Sequence, residues 1–166
     1  CGECVLDTKG YHALCCARGE STVGHNRVRD VFHAGFHLAD PTSEIEVPGL
    51  VVSAPTLRPA DVLTHAAIRG EVTAVDVGVS CPSASGAGSD STETMKQDKL
   101  DRYGPYLQEL SAQGITYRPA MLSCYGKFHP DASQMMETAC QLAASRQGLK
   151  SSGALLSRWR QSLIVE

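Results

Sequence analysis

The stretch Val72-Thr73-Ala74-Val75-Asp76-Val77-Gly78-Val79 decides the fold. It is almost wholly apolar and rich in β-branched residues, the pattern of a central strand buried on both faces. A carboxylate inside such a strand, here Asp76, is costly unless it is paired or bound to a metal. Just upstream, Arg69-Gly70-Glu71 reads as a tight turn, and Arg58-Pro59-Ala60-Asp61-Val62-Leu63-Thr64 as a short preceding strand that carries a second carboxylate, Asp61. Fourteen residues separate the two acids, enough for strand, turn and strand. A hairpin of this kind would bring both carboxylates to one spot, where oxygen ligands suit a hard Mg²⁺ or Mn²⁺ ion.

Working outward, residues 44–52 alternate and then run apolar, which makes them the first of three consecutive strands. Before them, Val28, Val31, Phe32, Gly35 and Phe36 recur at spacings of three and four, predicting an amphipathic helix over 25–38 that Asp40-Pro41 ends. After the central strand, residues 80–92 form a low-complexity Ser/Gly loop. The pattern then predicts a helix over 93–113, capped by Ser91 or Thr92 and closed by Gly114. A fourth strand over 115–124 and helices over 132–146 and 153–164 complete the chain. The fold class is therefore α/β: helix, three-strand meander, helix, strand, helix. The crossover helix lets the fourth strand lie parallel to a central one.

At 166 residues the chain is one ordinary domain with room for a small appendage. It contains no run of 18 apolar residues, so no membrane partner is expected. It opens on Cys1 without an initiator Met or a signal-like segment, which suggests a fragment of a longer open reading frame at work in the nucleus or cytoplasm. Four of the seven cysteines fall in the first sixteen residues while Cys81, Cys124 and Cys140 are scattered. That clustering argues for metal in a reducing compartment over a disulfide framework. Cys1, Cys4, His12 and Cys16 can close a tetrahedral, structural Zn²⁺ site, with Cys15 competing for the last position and His25 for the imidazole. The net charge of −3 means that any contact with nucleic acid must come from a local basic patch or from neighbouring parts of a larger protein.

Taken in order, these segments resemble a known family. Arg58-Pro59-Ala60-Asp61, Ala74-Val75-Asp76-Val77-Gly78-Val79 and Lys96-Gln97-Asp98-Lys99-Leu100-Asp101-Arg102-Tyr103 resemble the restriction-like endonuclease of site-specific non-LTR retrotransposons, a branch of the PD-(D/E)xK nuclease fold. Cys1-x₂-Cys4-x₇-His12-x₃-Cys16 followed by His25-Asn26-x-Val28-Arg29-Asp30 resembles the CCHC zinc knuckle and helix that precede that nuclease. The likeness covers roughly residues 1–130 and favours Cys16 as the fourth zinc ligand.

The resemblance implies a zinc knuckle over 1–25, a restriction-endonuclease-like domain over 26–148 and a C-terminal helix over 149–166. It implies Mg²⁺-dependent nicking of DNA beside the reverse-transcriptase region of the same polyprotein. Asp61 and Asp76 would bind the ion with help from the Val77 carbonyl, and Lys99 would position the attacking water. Arg58, Arg27, Arg29, His25, Lys96 and Tyr103 are the implied nucleic-acid contacts. Two departures stand out. The position two residues after the second acid, where the family motif has Lys, is Gly78, so the cation is expected from the helix that carries Lys99. Ser123 and Cys124 stand where a further Glu is usual. The alternative is a catalytically degenerate, zinc-stabilised module that binds nucleic acid or the reverse transcriptase.

Other chemistries find no support. The glycines at Gly86, Gly88 and Gly126 lack a phosphate-loop pattern, and no Gly-x-Ser-x-Gly elbow is present. His33 and His37 share a helix face without the Glu of a zinc-protease motif, while Phe128 and Trp159 read as core or interface anchors.

Overall fold

A computed structural model of the chain describes residues 20–83 and 86–165. Its elements are α1 (Glu20–Ala39), β1 (Glu44–Ile45), β2 (Val62–Ile68), β3 (Glu71–Ser80), α2 (Ser91–Tyr103), a 3₁₀ turn (Gly104–Tyr106), α3 (Leu107–Ala112), β4 (Ile115–Ser123), α4 (Pro130–Arg146) and α5 (Gly153–Val165). The expected zinc ligands Cys1, Cys4, His12 and Cys16 lie outside the described residues. Residues 20–25, assigned above to the knuckle, are already helical.

The four strands form one mixed sheet in the order β1-β2-β3-β4. β1, β2 and β3 pair antiparallel; β4 returns parallel to β3, from Val72 opposite Ile115 to Ser80 opposite Ser123. The β2–β3 hairpin turns at Arg69 and Gly70, both left-handed with φ of 56° and 74°. Such a two-residue turn matches the twist of the flanking strands.

Three boundaries differ from expectation. The strand expected over 44–52 shrinks to Glu44–Ile45, because Pro48 cannot donate to a ladder and Gly49 takes a positive φ of 74°. Leu50 and Val51 are nevertheless buried, from a loop that packs under Leu110 of α3. β2 begins at Val62 rather than Arg58, with Pro59 and Asp61 left before the strand. The single helix expected over 93–113 is broken at Gly104-Pro105, since Pro removes a helix hydrogen bond and crowds the preceding turn. Asp90, not Ser91 or Thr92, caps α2 by accepting the Thr92 N–H at 3.0 Å.

One sheet face, carrying Val62, Val75, Val77, Ala120 and Leu122, is covered by Phe32 and Phe36 of α1, Met136 of α4 and Trp159 of α5. Trp159 meets both phenylalanines edge-on, at centroid distances of 5.8 and 5.1 Å. The C-terminal helix, set apart above as 149–166, thus shares the main core. The other face, with Leu63, Ala74 and Ile115, is closed by Leu50, Val51 and Leu110.

A bulge in β2 between Thr64 and Ile68 takes backbone N–H groups out of the ladder. Asp40, just past the end of α1, satisfies them. One of its oxygens accepts the N–H of His65 (2.6 Å), the N–H of Ala66 (3.0 Å) and the Thr64 hydroxyl (2.6 Å), while the other holds Thr42. Burial alone would raise this carboxyl, but the bonds from Thr42, Thr64 and His65 outweigh it and hold it well below the usual carboxylate range. α1 is thereby fixed against β2, which sets where His25, one helix length away, meets the sheet.

Candidate functional site

Just before the start of β2 the main-chain ladder passes to a side chain. The Asp61 N–H still donates to the Val75 carbonyl at 2.9 Å, and then Asp61 Oδ2 accepts the Val77 N–H at 2.7 Å. The carboxylate is thereby pinned beside β3, next to Asp76. Asp76 Oδ1 accepts Lys99 Nζ at 2.7 Å, and Asp76 Oδ2 accepts the Tyr117 hydroxyl at 2.6 Å. Asp61 Oδ1 meets His25 Nε2 at 3.1 Å. Five elements or their ends therefore converge: α1 through His25, the start of β2 through Asp61, β3 through Asp76, α2 through Lys99 and β4 through Tyr117.

Strand pairing and the seat of α2 on β3 set these placements. Asp76 lies on the same face of β3 as Ala74 and Gly78, towards α2. At Gly78 a Cβ would come within 2.6 Å of Met121 Sδ and 2.8 Å of Met95 Sδ, so a side chain there would have to displace both thioethers. Gly78 leaves room for both thioethers, and α2, packed over this face, brings Lys99 to Asp76. Tyr117 reaches Asp76 because parallel pairing sets it opposite Ala74, two positions along the same face. Lys99 and Lys96 lie on one stretch of α2, yet Lys96 turns to Asp131 at 2.8 Å and Glu93 at 3.9 Å.

The electrostatics separate the two acids. Burial pushes the Asp76 carboxyl up to about 6, against the pull of Lys99 and Tyr117 and with the help of the Asp61 charge. Burial is the largest single influence on Asp61 and would raise it, but the hydrogen bond and charge of His25, the Val77 N–H and the Lys99 charge together outweigh it, and the carboxyl ends below its ordinary value. The same bond raises the His25 imidazole. Burial and the neighbouring Asp76 push the Tyr117 phenol far up, so it stays protonated and donates to Asp76.

Of the remaining expected contacts, Arg29 and Arg58 meet on Glu46 and the others lie apart. Arg29 is buried and held by Asp30, Asn26 and Glu46. Arg58 is exposed and meets the other oxygen of Glu46 at 3.2 Å. Arg27 is exposed on α1. Tyr103 is buried, its ring tilted against Tyr117 at a centroid distance of 5.2 Å and its hydroxyl donating to the Arg58 carbonyl at 3.2 Å, so it does not face the surface. Ser123 closes β4, buried, with its hydroxyl accepting the Lys127 N–H. His33 bonds the Ser43 carbonyl and His37 the Ser43 hydroxyl, both structural contacts.

The donor set can be tested against a divalent ion. Each of the four carboxylate oxygens already accepts one hydrogen bond and keeps a second lone-pair direction. A cation would also relieve the burial that raises Asp76. Among the described residues no group of three or more His, Cys, Asp or Glu is placed to hold a metal. An ion here would rely on the two carboxylates, a backbone carbonyl and oxygens from water or substrate, which fits Mg²⁺ better than Zn²⁺.

Compared with known proteins, the chain matches no family model and no curated protein. Among the described residues no helix is long and apolar enough to cross a membrane. Sequence reasoning missed Tyr117 and Glu46. Tyr117 could have been found from its even spacing with Met121 on a strand parallel to β3; Glu46 carried no signal.

Proposed function

We propose that this chain is a metal-dependent DNA endonuclease with a PD-(D/E)xK-like core, acting in a retroelement protein. The observation that carries the reading is the convergence of Asp61, Asp76 and Lys99, brought from three elements to one partly buried spot. Asp61 and Asp76 would hold Mg²⁺ or Mn²⁺, which supplies Lewis-acid polarisation of the scissile phosphate and a more acidic water. Val77 offers its carbonyl as a further ligand. Lys99 turns its ammonium to Asp76 and would orient the attacking water and offset charge that develops on the phosphate. Tyr117 keeps the Asp76 carboxylate oriented by donating to it. His25 does the same for Asp61.

A structural Zn²⁺ on Cys1, Cys4, His12 and Cys16 belongs to the same reading, as does the reverse-transcriptase region as a covalent neighbour. Metal analysis of protein purified without chelator should give about one zinc per chain. A second reading, a binding module with a relic site, is favoured by Ser123 at the end of β4 where the family carries Glu. Titration of the zinc-loaded protein with Mn²⁺, followed by electron paramagnetic resonance, discriminates between the two. The nuclease reading requires a saturable Mn²⁺ site that is lost in Asp61→Ala, and equal Mn²⁺ uptake by the two proteins would contradict it.

A further inference from the structure

Beside the acid pair sits a cluster that the acid-pair chemistry leaves unused. Glu46 is one of two non-glycine residues with a positive φ among the described residues, at 49°; the other, Arg69, belongs to a hairpin turn. A left-handed backbone at Glu carries strain that an L side chain with a Cβ seldom accepts. The contacts of Glu46 account for the conformation. Its N–H donates to the Asp61 carbonyl at 3.1 Å. Its carboxylate spans two guanidinium groups, Oε1 on Arg29 Nη1 and Oε2 on Arg58 Nη1, the latter at 3.2 Å. A carboxylate bridging two arginines with one oxygen each has the charge and donor pattern of a phosphodiester bound through its two non-bridging oxygens.

The two arginines differ in a way that matters. The Arg29 side chain is 9% exposed and is held independently of Glu46 by Asp30 (2.9 and 2.7 Å) and Asn26 (3.3 Å), so its guanidinium stays in place when Glu46 leaves. The side chains of Arg58 and Glu46 are 58% and 42% exposed, so both can move and a ligand can reach them. Arg58 also lies three residues before Asp61 in the same segment.

We propose that Arg29 and Arg58 form a phosphate clamp for a nucleic-acid backbone, and that Glu46 occupies it as an internal competitor until the strand displaces it. The proposal rests on the nuclease reading for its ligand class and adds the regulation of that site. It also supplies the local positive patch that a chain of net charge −3 needs. Release of Glu46 turns a neutral cluster of two arginines, Glu46 and Asp30 into one with a net positive charge. If Glu46 closes the clamp roughly nine-tenths of the time, it lowers apparent affinity about tenfold.

The test is fluorescence anisotropy of a labelled 20-base-pair DNA duplex with the zinc-loaded full chain and no added Mg²⁺ or Mn²⁺, so that hydrolysis is not read. Glu46→Gln should bind about tenfold tighter than the parent, and the slope of log affinity against log salt should steepen by about one contact. Glu46→Gly, which removes the carboxylate and suits a positive φ, should behave alike and guards against misfolding of the first variant. Glu44→Gln, a nearby change of equal charge, should shift affinity less than about twofold. Adding Arg58→Ala to Glu46→Gln should erase the gain. Glu46 variants that bind no tighter than Glu44→Gln would overturn the clamp, whether or not the parent binds. Tighter binding by proteins that never nick would leave the clamp standing and remove the nuclease reading. Nicking with unchanged affinity would do the reverse.

Discussion

Lys99 Nζ lies 2.7 Å from Asp76 Oδ1, a contact between residues 23 positions apart that is made where α2 packs on β3. Under the proposed chemistry this ammonium is the only cation placed directly on the acid pair from α2, since Lys96 is committed to Asp131 and Glu93. Lys99→Ala should therefore cut the nicking rate about a hundred- to a thousandfold, roughly 3 to 4 kcal/mol of lost transition-state stabilisation. The circular dichroism spectrum should be retained. A variant that nicks at the parental rate removes Lys99 from the mechanism.

Asp76 gives the site a pH dependence of definite sign. Its carboxyl, pushed up to about 6 by burial, is protonated and a poor metal ligand at pH 5 and charged at pH 7. At sub-saturating Mg²⁺, nicking should rise through about pH 6. Tyr117→Phe removes a donor that favours the charged form, so the midpoint should move to higher pH. Stability runs the other way: a raised carboxyl contributes stability fully present below the unfolded value of about 3.9 and lost as pH rises through the folded value. Urea unfolding should show the advantage of the parent over Asp76→Asn shrinking between pH 4 and 7. A difference that grows over this range would contradict the assignment.

Asp40 predicts a purely structural effect. Asp40→Ala leaves the bulge N–H groups of His65 and Ala66 and the buried Thr64 hydroxyl without their acceptor, at a cost of roughly 2 to 4 kcal/mol. Because its carboxyl is held below the ordinary value, its stabilisation is present above about pH 4 and is lost as pH falls below that. Equilibrium unfolding at pH 7 and pH 3 checks both parts: the variant should be well below the parent at pH 7, and the gap should narrow at pH 3.

Gly35 tests the seat of α5. A Cβ there would lie 2.1 Å from Trp159 Cε2, a rigid ring locked between Phe32 and Phe36. Gly35→Ala should cost about 2 kcal/mol or more through overpacking. Gly35→Ala combined with Trp159→Leu should recover part of that loss, as read from thermal melts. Additive losses would mean that helix α5 does not pack as described.

The contrast between these residues shows what the sequence carried. The apolar run around Asp76 and the turn at Arg69-Gly70 were legible because burial on both faces and left-handed φ each leave a local residue pattern. The acid pair followed from that hairpin. The irregular segment 46–61 was not legible: Leu50 and Val51 are as apolar as strand residues, and Pro48 and Gly49, which end β1 early, are short-range signals that the apolar pattern outweighed. The break at Gly104-Pro105 was visible in the residues but overridden by the helical spacing on either side. Tyr117, His25 and Glu46 reach the site across 41, 36 and 15 positions from the acids they serve or adjoin, through strand pairing and helix docking that no local pattern encodes.

The central claim, that Asp61 and Asp76 hold a divalent ion for phosphodiester hydrolysis, is tested most directly by nicking of supercoiled plasmid by the purified chain. Reactions would contain Mg²⁺, Mn²⁺ or chelator, with Asp61→Asn and Asp76→Asn as paired controls. The account predicts conversion of supercoiled to open-circular DNA with either ion, none in chelator, and a loss of at least about a hundredfold in each variant. No nicking by the parent with either ion, or equal nicking by the parent and Asp76→Asn, would contradict it.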